Sequence, residues 1–192
     1  MEAILARHRV TAQRVPQVLD VGCGTGNLLT WLAGRGYGDN QLYGVDVLED
    51  RIAAARGQLP GARLLLGDCR HLPFADHQFD MVCLIIVLSS VLGTRNRQQL
   101  ARELVRVLRP DGFVLYYDIR YPSVGNPHLR AASLAELHSL FAPLHASLEP
   151  VTLLPPLARR LGPLTPALYP LLHTIAPLRS HFIGVLGERV DS

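Results

Sequence analysis

Short apolar runs alternate with helically spaced stretches along the first 118 residues. Residues 18–21 form a short apolar run, residues 22–26 are rich in glycine, and the leucines within residues 27–33 have helical spacing. This order predicts a strand, a glycine turn and a helix. The same alternation predicts further strands at 41–46, 63–66, 79–86 and 113–118, and helices at 50–58 and 97–108. Because nearly continuous apolar strands are covered on both faces, we expect a doubly wound, mostly parallel α/β sheet with right-handed crossovers.

The composition changes after residue 118, where seven prolines fall between residues 150 and 177. Proline breaks helix interiors, so long regular helices are excluded there. The remaining pattern predicts short helices at 133–141 and 166–174 and strands at 145–152 and 181–188. These two strands would form a hairpin-like sheet edge that is interrupted by a proline-rich insertion.

Hydrophobic residues make up 48% of the 192 residues and charged residues 18%. This composition supports one folded domain over residues 1–192 and excludes a disordered chain. The longest apolar stretch, residues 81–88, is far shorter than the roughly 20 residues that cross a bilayer. The N-terminal residues lack the apolar run of a secretory signal. We therefore expect a cytoplasmic protein without a membrane span.

The formal net charge is +3, and all 19 positive side chains are arginine. The arginines are dispersed rather than grouped in a block, so the sequence gives no clear nucleic-acid signal. Cys23, Cys69 and Cys83 have the spacing of neither a zinc site nor a disulfide framework, which favours reduced thiols. The histidines show no metal-ligand spacing either, and we expect no metal.

A glycine turn followed by an acidic strand end is the strongest chemical signal. Glycine at Gly22, Gly24 and Gly26 lets a ligand approach the backbone amides closely. The spacing differs from the dinucleotide fingerprint, and the turn lacks the lysine of a Walker loop. Asp46, twenty residues after Gly26, is placed to accept hydrogen bonds from both hydroxyls of a ribose. A ligand-free turn and a solvated aspartate are the alternatives, but together the residues indicate a nucleoside.

Four motifs follow one another over roughly residues 15–120. They read Val18-Leu19-Asp20-Val21-Gly22-Cys23-Gly24-Thr25-Gly26, Tyr43-Gly44-Val45-Asp46, Gly67-Asp68-Cys69 with Gln78-Phe79-Asp80-Met81-Val82, and Leu108-Arg109-Pro110-Asp111-Gly112-Phe113. Together they resemble the motifs of the class I S-adenosylmethionine-dependent methyltransferases, in particular the methyltransferase-11-like domain. The family commonly has alanine where Cys69 stands and a second glycine where Asp111 stands. The resemblance implies S-adenosyl-L-methionine as cofactor and a Rossmann-like sheet of seven strands, the last of them antiparallel.

Residue by residue, the resemblance also implies a cofactor site. Asp20 would help to hold the ammonium group of the methionine moiety, and Leu84, just past the fourth strand, would offer that group a carbonyl oxygen. Asp46 would bind the ribose. The other implied contacts are the turn residues Gly22, Cys23, Gly24 and Gly26, Val47 beside the adenine, Asp68 toward its amine, and the backbone amide of Cys69 toward a ring nitrogen. The alternatives are a turn cap for Asp68 and core packing for the cysteine side chains.

The methyl acceptor is expected at residues 118–130, after the fifth strand, and at the proline-rich region. Methyl transfer is an in-line displacement, so positioning can supply most of the catalysis. A hydroxyl acceptor would benefit from a base, and the candidates are Asp118, Tyr121 and His128. Arg120 and Arg130 are candidates for clamping an anionic acceptor. Structural or solvated roles are the alternative for all five residues. The acceptor itself is expected to be a small or sugar-like molecule.

The expected domain has a cofactor-binding core over residues 1–120 and an acceptor or lid region over residues 121–180. Within it, residues 153–172 are interpreted as a membrane-surface patch or as a lid. Their sparse charges, Arg159 and Arg160, favour a lid or core packing. Two other functions stay open: a noncatalytic cofactor-binding module, and a nicotinamide-dependent oxidoreductase, whose fingerprint spacing is absent.

Overall fold

A mostly parallel sheet of seven strands organises the protein, seen in a computed structural model that describes residues 2–7, 10–122, 126–142 and 144–187. The strands are β1 (Val18–Val21), β2 (Leu42–Asp46), β3 (Arg63–Leu66), β4 (Phe79–Ile85), β5 (Leu108–Ile119), β6 (Ala146–Leu153) and β7 (Arg179–Gly187). Their order across the sheet is β3-β2-β1-β4-β5-β7-β6. Strands β1 to β5 pair in parallel, and β7 is antiparallel to both β5 and β6. The predicted doubly wound fold with an antiparallel last strand is confirmed.

Helices cover both faces of the sheet. They are α1 (Glu2–Arg7), α2 (Asn27–Ala33), α3 (Glu49–Gln58), α4 (Thr94–Val107), α5 (Leu134–Leu140), α6 (Pro155–Leu161) and α7 (Thr165–His173). Short 3-10 turns lie at Asp39–Gln41, Leu88–Ser90, Gly162–Leu164 and Ala176–Leu178. Buried side chains of α1, α2 and α3 form one apolar cluster with the sheet, and those of α4 and α5 form the other. This two-sided burial is why β1 and β2 are buried along their whole length.

The fifth strand begins earlier than the sequence predicts. Leu108 already pairs with Phe79 of β4, and the register then shifts so that Met81 pairs with Phe113. Residues 109–112 therefore form a bulge inside β5 rather than a turn before it. The reason is the burial of Leu108 against the core, which keeps the chain in the sheet although residues 110–112 favour a turn.

The sequence pattern misses α1 and α6, whereas the absence of long helices after residue 118 is confirmed for the described residues. Helix α6 opens on Pro155, and a proline is tolerated in the first turn of a helix because its missing N–H has no partner there. The longest helix of this region, α7, has nine residues and contains Pro170. Within the described part of the chain, every helix is too short or too polar to cross a membrane.

The proline-rich insertion leaves and rejoins the sheet at one edge. Strand β6 runs in the same direction as β5, since β7 is antiparallel to both. Leu153 therefore ends β6 at the edge that also carries the carboxyl ends of β1, β4 and β5. The Leu154 N–H donates to the Leu178 carbonyl oxygen at 2.8 Å and closes the base of the insertion. Ligands bind at this edge in open α/β sheets, so the insertion lies on the functional side.

Candidate active site

The glycine turn after β1 has a left-handed backbone at three positions. The φ angles are +71° at Gly22, +53° at Gly24 and +84° at Gly26, in the region that favours glycine. A Cβ atom at Gly22 would lie 2.5 Å from Cγ2 of Val87, and one at Gly26 would lie 3.2 Å from the Cβ of Ala55. At Gly24 the nearest described atom is the end of an arginine side chain, 3.9 Å away. Gly22 and Gly26 thus permit close packing, whereas Gly24 leaves space beside the backbone.

Asp46, the last residue of β2, holds the glycine turn in place. Its Oδ2 accepts a hydrogen bond from the Gly24 N–H at 2.9 Å, and its Oδ1 accepts one from the Leu48 N–H at 3.0 Å. Each carboxylate oxygen has a further lone pair, so the group can still accept from two hydroxyls. The Gly67 N–H donates to the Asp46 carbonyl oxygen at 2.9 Å, which brings the segment predicted to enclose adenine to the same edge.

Asp20 on β1 is a buried carboxyl group beside this turn, with only 3% of the residue exposed. Burial and the neighbouring Asp46 carboxylate raise its pKa to about 8. Among the described residues, no hydrogen-bond donor contacts its carboxyl group. Two adjacent carboxyl groups, one of them without a donor, suit a cationic group such as the ammonium of S-adenosyl-L-methionine, whose positive charge would favour the ionised form of Asp20. The residues present therefore fit this cofactor.

Replacing Asp20 with asparagine should stabilise the empty protein and weaken its ligand binding. Because the pKa is raised in the folded state, the stabilising contribution of this group is complete below its unfolded value of 3.8 and is lost as the pH rises to about 8. Asp20→Asn should therefore raise the free energy of unfolding at pH 8 by about 1 kcal/mol or more. It should also weaken S-adenosylhomocysteine binding at least about tenfold. Thermal melts and calorimetric titration check both effects, and an unchanged affinity would remove Asp20 from the site.

The residues assigned to adenine follow two neighbouring strands: Val47 follows β2, and Asp68 and Cys69 follow β3. Val47 is exposed next to Asp46 and offers an apolar surface. The Asp68 carboxylate accepts from the backbone N–H and from the guanidinium of Arg70, which hold its pKa at about 2. Asp68 thus caps its own turn, as one alternative proposes, and its ionised oxygens still accept hydrogen bonds. Cys69 is half-buried and packs against the apolar core.

Cysteine chemistry and metal binding find no support in the described residues. Cys23, Cys69 and Cys83 are free thiols. Burial raises the pKa of Cys23 to about 12 and that of Cys69 to about 11, so both stay protonated at neutral pH. No group of three His, Cys, Asp or Glu side chains in the described ranges could hold a metal ion.

Leu84 lies inside β4 rather than just past it. It is fully buried and pairs with Val21 of β1 and Tyr116 of β5. The first residue after β4 is Ile86, which is 38% exposed and has φ of +55°. A left-handed backbone is unusual for a β-branched residue, and such strained positions cluster at functional sites. Sequence patterns carry no signal for this conformation, because Ile86 continues the apolar run of the strand.

Two of the three predicted bases have hydrogen bonds that suit other roles. Asp118 is buried at the end of β5, where its Oδ2 accepts from the Ser89 N–H at 2.9 Å and its Oδ1 from the Ile119 N–H at 2.7 Å. The Tyr121 hydroxyl donates to the Pro177 carbonyl oxygen at 3.2 Å, within the insertion. Asp118 therefore orders the chain after β4, and Tyr121 ties residues after β5 to the insertion.

His128 and both predicted arginine clamps lie nearer the surface. His128 is exposed. The Arg130 guanidinium pairs with Glu136 of α5, whereas the Arg120 guanidinium lies 5.0 Å from the ring centre of Tyr121. Residues 123–125, in the middle of the predicted acceptor segment, lie outside the described residues.

The structure adds a cluster around His181 that the sequence pattern does not reveal. The His181 ring stacks on Tyr117, with ring centres 4.9 Å apart and planes 3° from parallel. The Ser180 hydroxyl donates to the Thr152 carbonyl oxygen at 3.0 Å and lies 2.8 Å from Nδ1 of His181. Since this hydroxyl has one proton, its oxygen must accept from Nδ1–H. Nε2 is then the acceptor nitrogen, and no described residue bonds to it.

Comparison with known proteins shows which family this chain resembles in sequence. Residues 19–116 match a family model described as a methyltransferase domain. Methyltransferase GfsG of Streptomyces halstedii is 38% identical over 111 residues, which cover 54% of this chain and 37% of that protein. Fatty-acid O-methyltransferase of Mycolicibacterium smegmatis is 40% identical over 106 residues, with the same two coverages. The chain thus spans less than half the length of these relatives.

Solved structures resemble this chain over nearly its whole length. A SAM-dependent methyltransferase from Archaeoglobus fulgidus aligns with a TM-score of 0.70 and 15% identity, over 97% of this chain and 92% of that one. The PH0226 protein of Pyrococcus horikoshii aligns with a TM-score of 0.68 and 18% identity, over 97% and 86%. At these identities the likeness concerns the fold.

Proposed function

We propose that this chain, which belongs to the methyltransferase domain family, transfers a methyl group from S-adenosyl-L-methionine to a small-molecule acceptor. The family match confirms the resemblance seen in the motifs and the cofactor that it implies. The observation that carries the proposal is the glycine turn anchored by Asp46, with the donor-free Asp20 beside it. When bound, this cofactor supplies a methyl group on a positively charged sulfur, open to in-line attack.

Cofactor identity is tested by thermal melting of the purified chain with S-adenosylhomocysteine and with NAD. We expect S-adenosylhomocysteine to raise the melting temperature and NAD to leave it unchanged, because the turn lacks the dinucleotide spacing. Stabilisation by NAD alone would favour an oxidoreductase and contradict the proposal.

For a hydroxyl acceptor, we propose that His181 takes the proton. Its Nδ1–H is held by Ser180, so Nε2 can accept. Burial lowers the pKa of His181 below its ordinary value of 6.5, although the Asp118 carboxylate opposes this effect. The imidazole is therefore neutral at physiological pH, as a base must be. Asp118, Tyr121 and His128 stay as the alternative bases.

Loss of His181 should change the pH dependence of turnover. The parent should lose activity only at a pH below the ordinary histidine value of about 6.5, because burial lowers the pKa of this base. His181→Ala should remove this decrease at low pH, the acidic limb of the pH–rate profile, and should lower kcat about 100-fold. Its affinity for S-adenosylhomocysteine should stay within about threefold of the parent. His128→Ala is the matched control and should keep both the limb and the rate. The reverse pattern would assign the base to His128.

The acceptor is proposed to be a small molecule with an apolar part. Relatives named as fatty-acid, demethylmenaquinone and phthiotriol dimycocerosate methyltransferases have such acceptors in their names. Tyr117 stacks on the proposed base, and the exposed Ile86 lies beside Tyr117, since its N–H donates to the Tyr117 carbonyl oxygen at 2.7 Å, so both offer apolar surface. Arg120 and Arg130 are proposed to bind an anionic group, if the acceptor has one.

A further inference from the structure

An apolar stripe runs along α7 and its flanks. Leu164, Leu168, Leu171 and Ile175 follow at intervals of four, three and four residues, which places them on one face of a helical segment. Their exposed fractions are 60%, 36%, 67% and 44%. These four side chains are therefore not packed in the core, and core packing is wrong as an interpretation of this face. Contiguous exposed apolar faces mark interaction surfaces, so this stripe indicates a partner.

The charged side chains of the segment that carries the stripe have one sign. Residues 150–187 contain no aspartate or glutamate. Arg159 and Arg160 are both exposed in the last turn of α6, directly before the stripe. Aliphatic side chains flanked by arginine, without any carboxylate, complement a surface that is apolar inside and anionic outside. An anionic lipid bilayer has that chemistry.

The stripe belongs to the insertion at the sheet edge of the candidate site, so a contact with the stripe has a functional consequence. The insertion begins after Leu153 and ends before Arg179, both at the sheet edge that carries the glycine turn. His181 follows two residues after the insertion returns. A surface that binds the stripe is thereby brought beside the groups proposed to handle the acceptor.

We propose that the stripe and the Arg159–Arg160 pair dock the protein on an anionic lipid bilayer. The leucines enter the interface and the guanidinium groups contact the lipid phosphates. A second copy of this chain is the competing occupant of the stripe. The docking does not depend on methyl transfer, so its failure and the failure of the proposed function are separate results.

Vesicle sedimentation tests the proposal with the purified chain. We expect binding to vesicles of phosphatidylcholine mixed with phosphatidylglycerol, at least about tenfold weaker binding to phosphatidylcholine alone, and a decrease with added salt. Leu171→Glu and the pair Arg159→Glu/Arg160→Glu should each weaken binding to the mixed vesicles at least about tenfold. Matched controls are Leu134→Glu, at an exposed leucine that begins α5, and Arg95→Glu/Arg102→Glu, at two exposed arginines of α4. The controls should bind like the parent.

Absence of vesicle binding by the parent would overturn the proposal. So would a dimer in analytical ultracentrifugation that Leu171→Glu dissociates, because a second copy would then cover the stripe. Equal losses in the stripe variants and in their controls would also contradict it, since the contact would then be nonspecific. Each variant is first titrated with S-adenosylhomocysteine, and unchanged affinity shows that the fold is intact.

Discussion

Gly24→Val is expected to abolish measurable binding of S-adenosylhomocysteine while the chain still folds. Gly24 has φ of +53° and an open space beside its backbone, where the described atoms leave room for a ligand. A valine side chain fills that space and strains a backbone that β-branched residues rarely adopt. The strain costs about 1 to 2 kcal/mol, which lowers the melting temperature by several degrees. Calorimetric titration should show a loss of affinity of about 100-fold or more, well beyond the effect of strain.

Gly36→Val is the matched control for this experiment. Gly36 has φ of +92°, and a Cβ atom at this position would have no described atom within 4 Å. It lies in the turn after α2 rather than in the glycine turn. Its replacement by valine causes a similar backbone strain without entering the site. Equal affinity losses in the two variants would mean that backbone strain alone weakens binding. Normal binding by Gly24→Val would mean that the glycine turn only connects the strand to the helix and does not contact the ligand.

Asp46→Ala should lower S-adenosylhomocysteine affinity about 100-fold. The substitution removes the acceptor of the Gly24 N–H and the proposed contact with the ribose hydroxyls. Each charge-assisted hydrogen bond contributes about 1.5 to 3 kcal/mol, and losing one of them lowers the affinity at least about tenfold. The loss of the Gly24 contact and of the ribose contact together therefore exceeds a tenfold decrease in affinity. Asp50→Ala, at an exposed aspartate in the first turn of α3, is the control and should bind normally. An unchanged dissociation constant for Asp46→Ala would exclude this carboxylate from the site.

Much of the fold, and the part of the candidate site around the glycine turn, follow from local sequence signals. Apolar runs and the glycine turn lie within a few residues of one another, so β1, α2 and the approach of Asp46 are predictable from spacing. The start of β5 is not, because the pairing of Leu108 with Phe79 depends on a neighbouring strand. Propensity favours a turn there, and tertiary burial overrides it.

The proposed acceptor side is harder to predict because its contacts are distant in sequence. Ser180 and Thr152 are 28 residues apart, and only the pairing of β6 with β7 brings them together at His181. The left-handed backbone of Ile86 likewise has no counterpart in the apolar pattern. The spacing of the α7 leucines is visible in the sequence, but whether a helical apolar face packs inward or faces outward depends on the fold around it.

Transfer of a labelled methyl group decides whether the chain is a methyltransferase with a small-molecule acceptor. The chain is incubated with S-adenosyl-L-methionine labelled in its methyl group and with fractionated extract of the host cells, and protein, nucleic acid, lipid and aqueous metabolites are then separated. We expect label in an apolar small molecule of the lipid fraction, and none with Gly24→Val. Tight S-adenosylhomocysteine binding without label in any fraction would contradict the proposed activity and identify the chain as a noncatalytic cofactor-binding module.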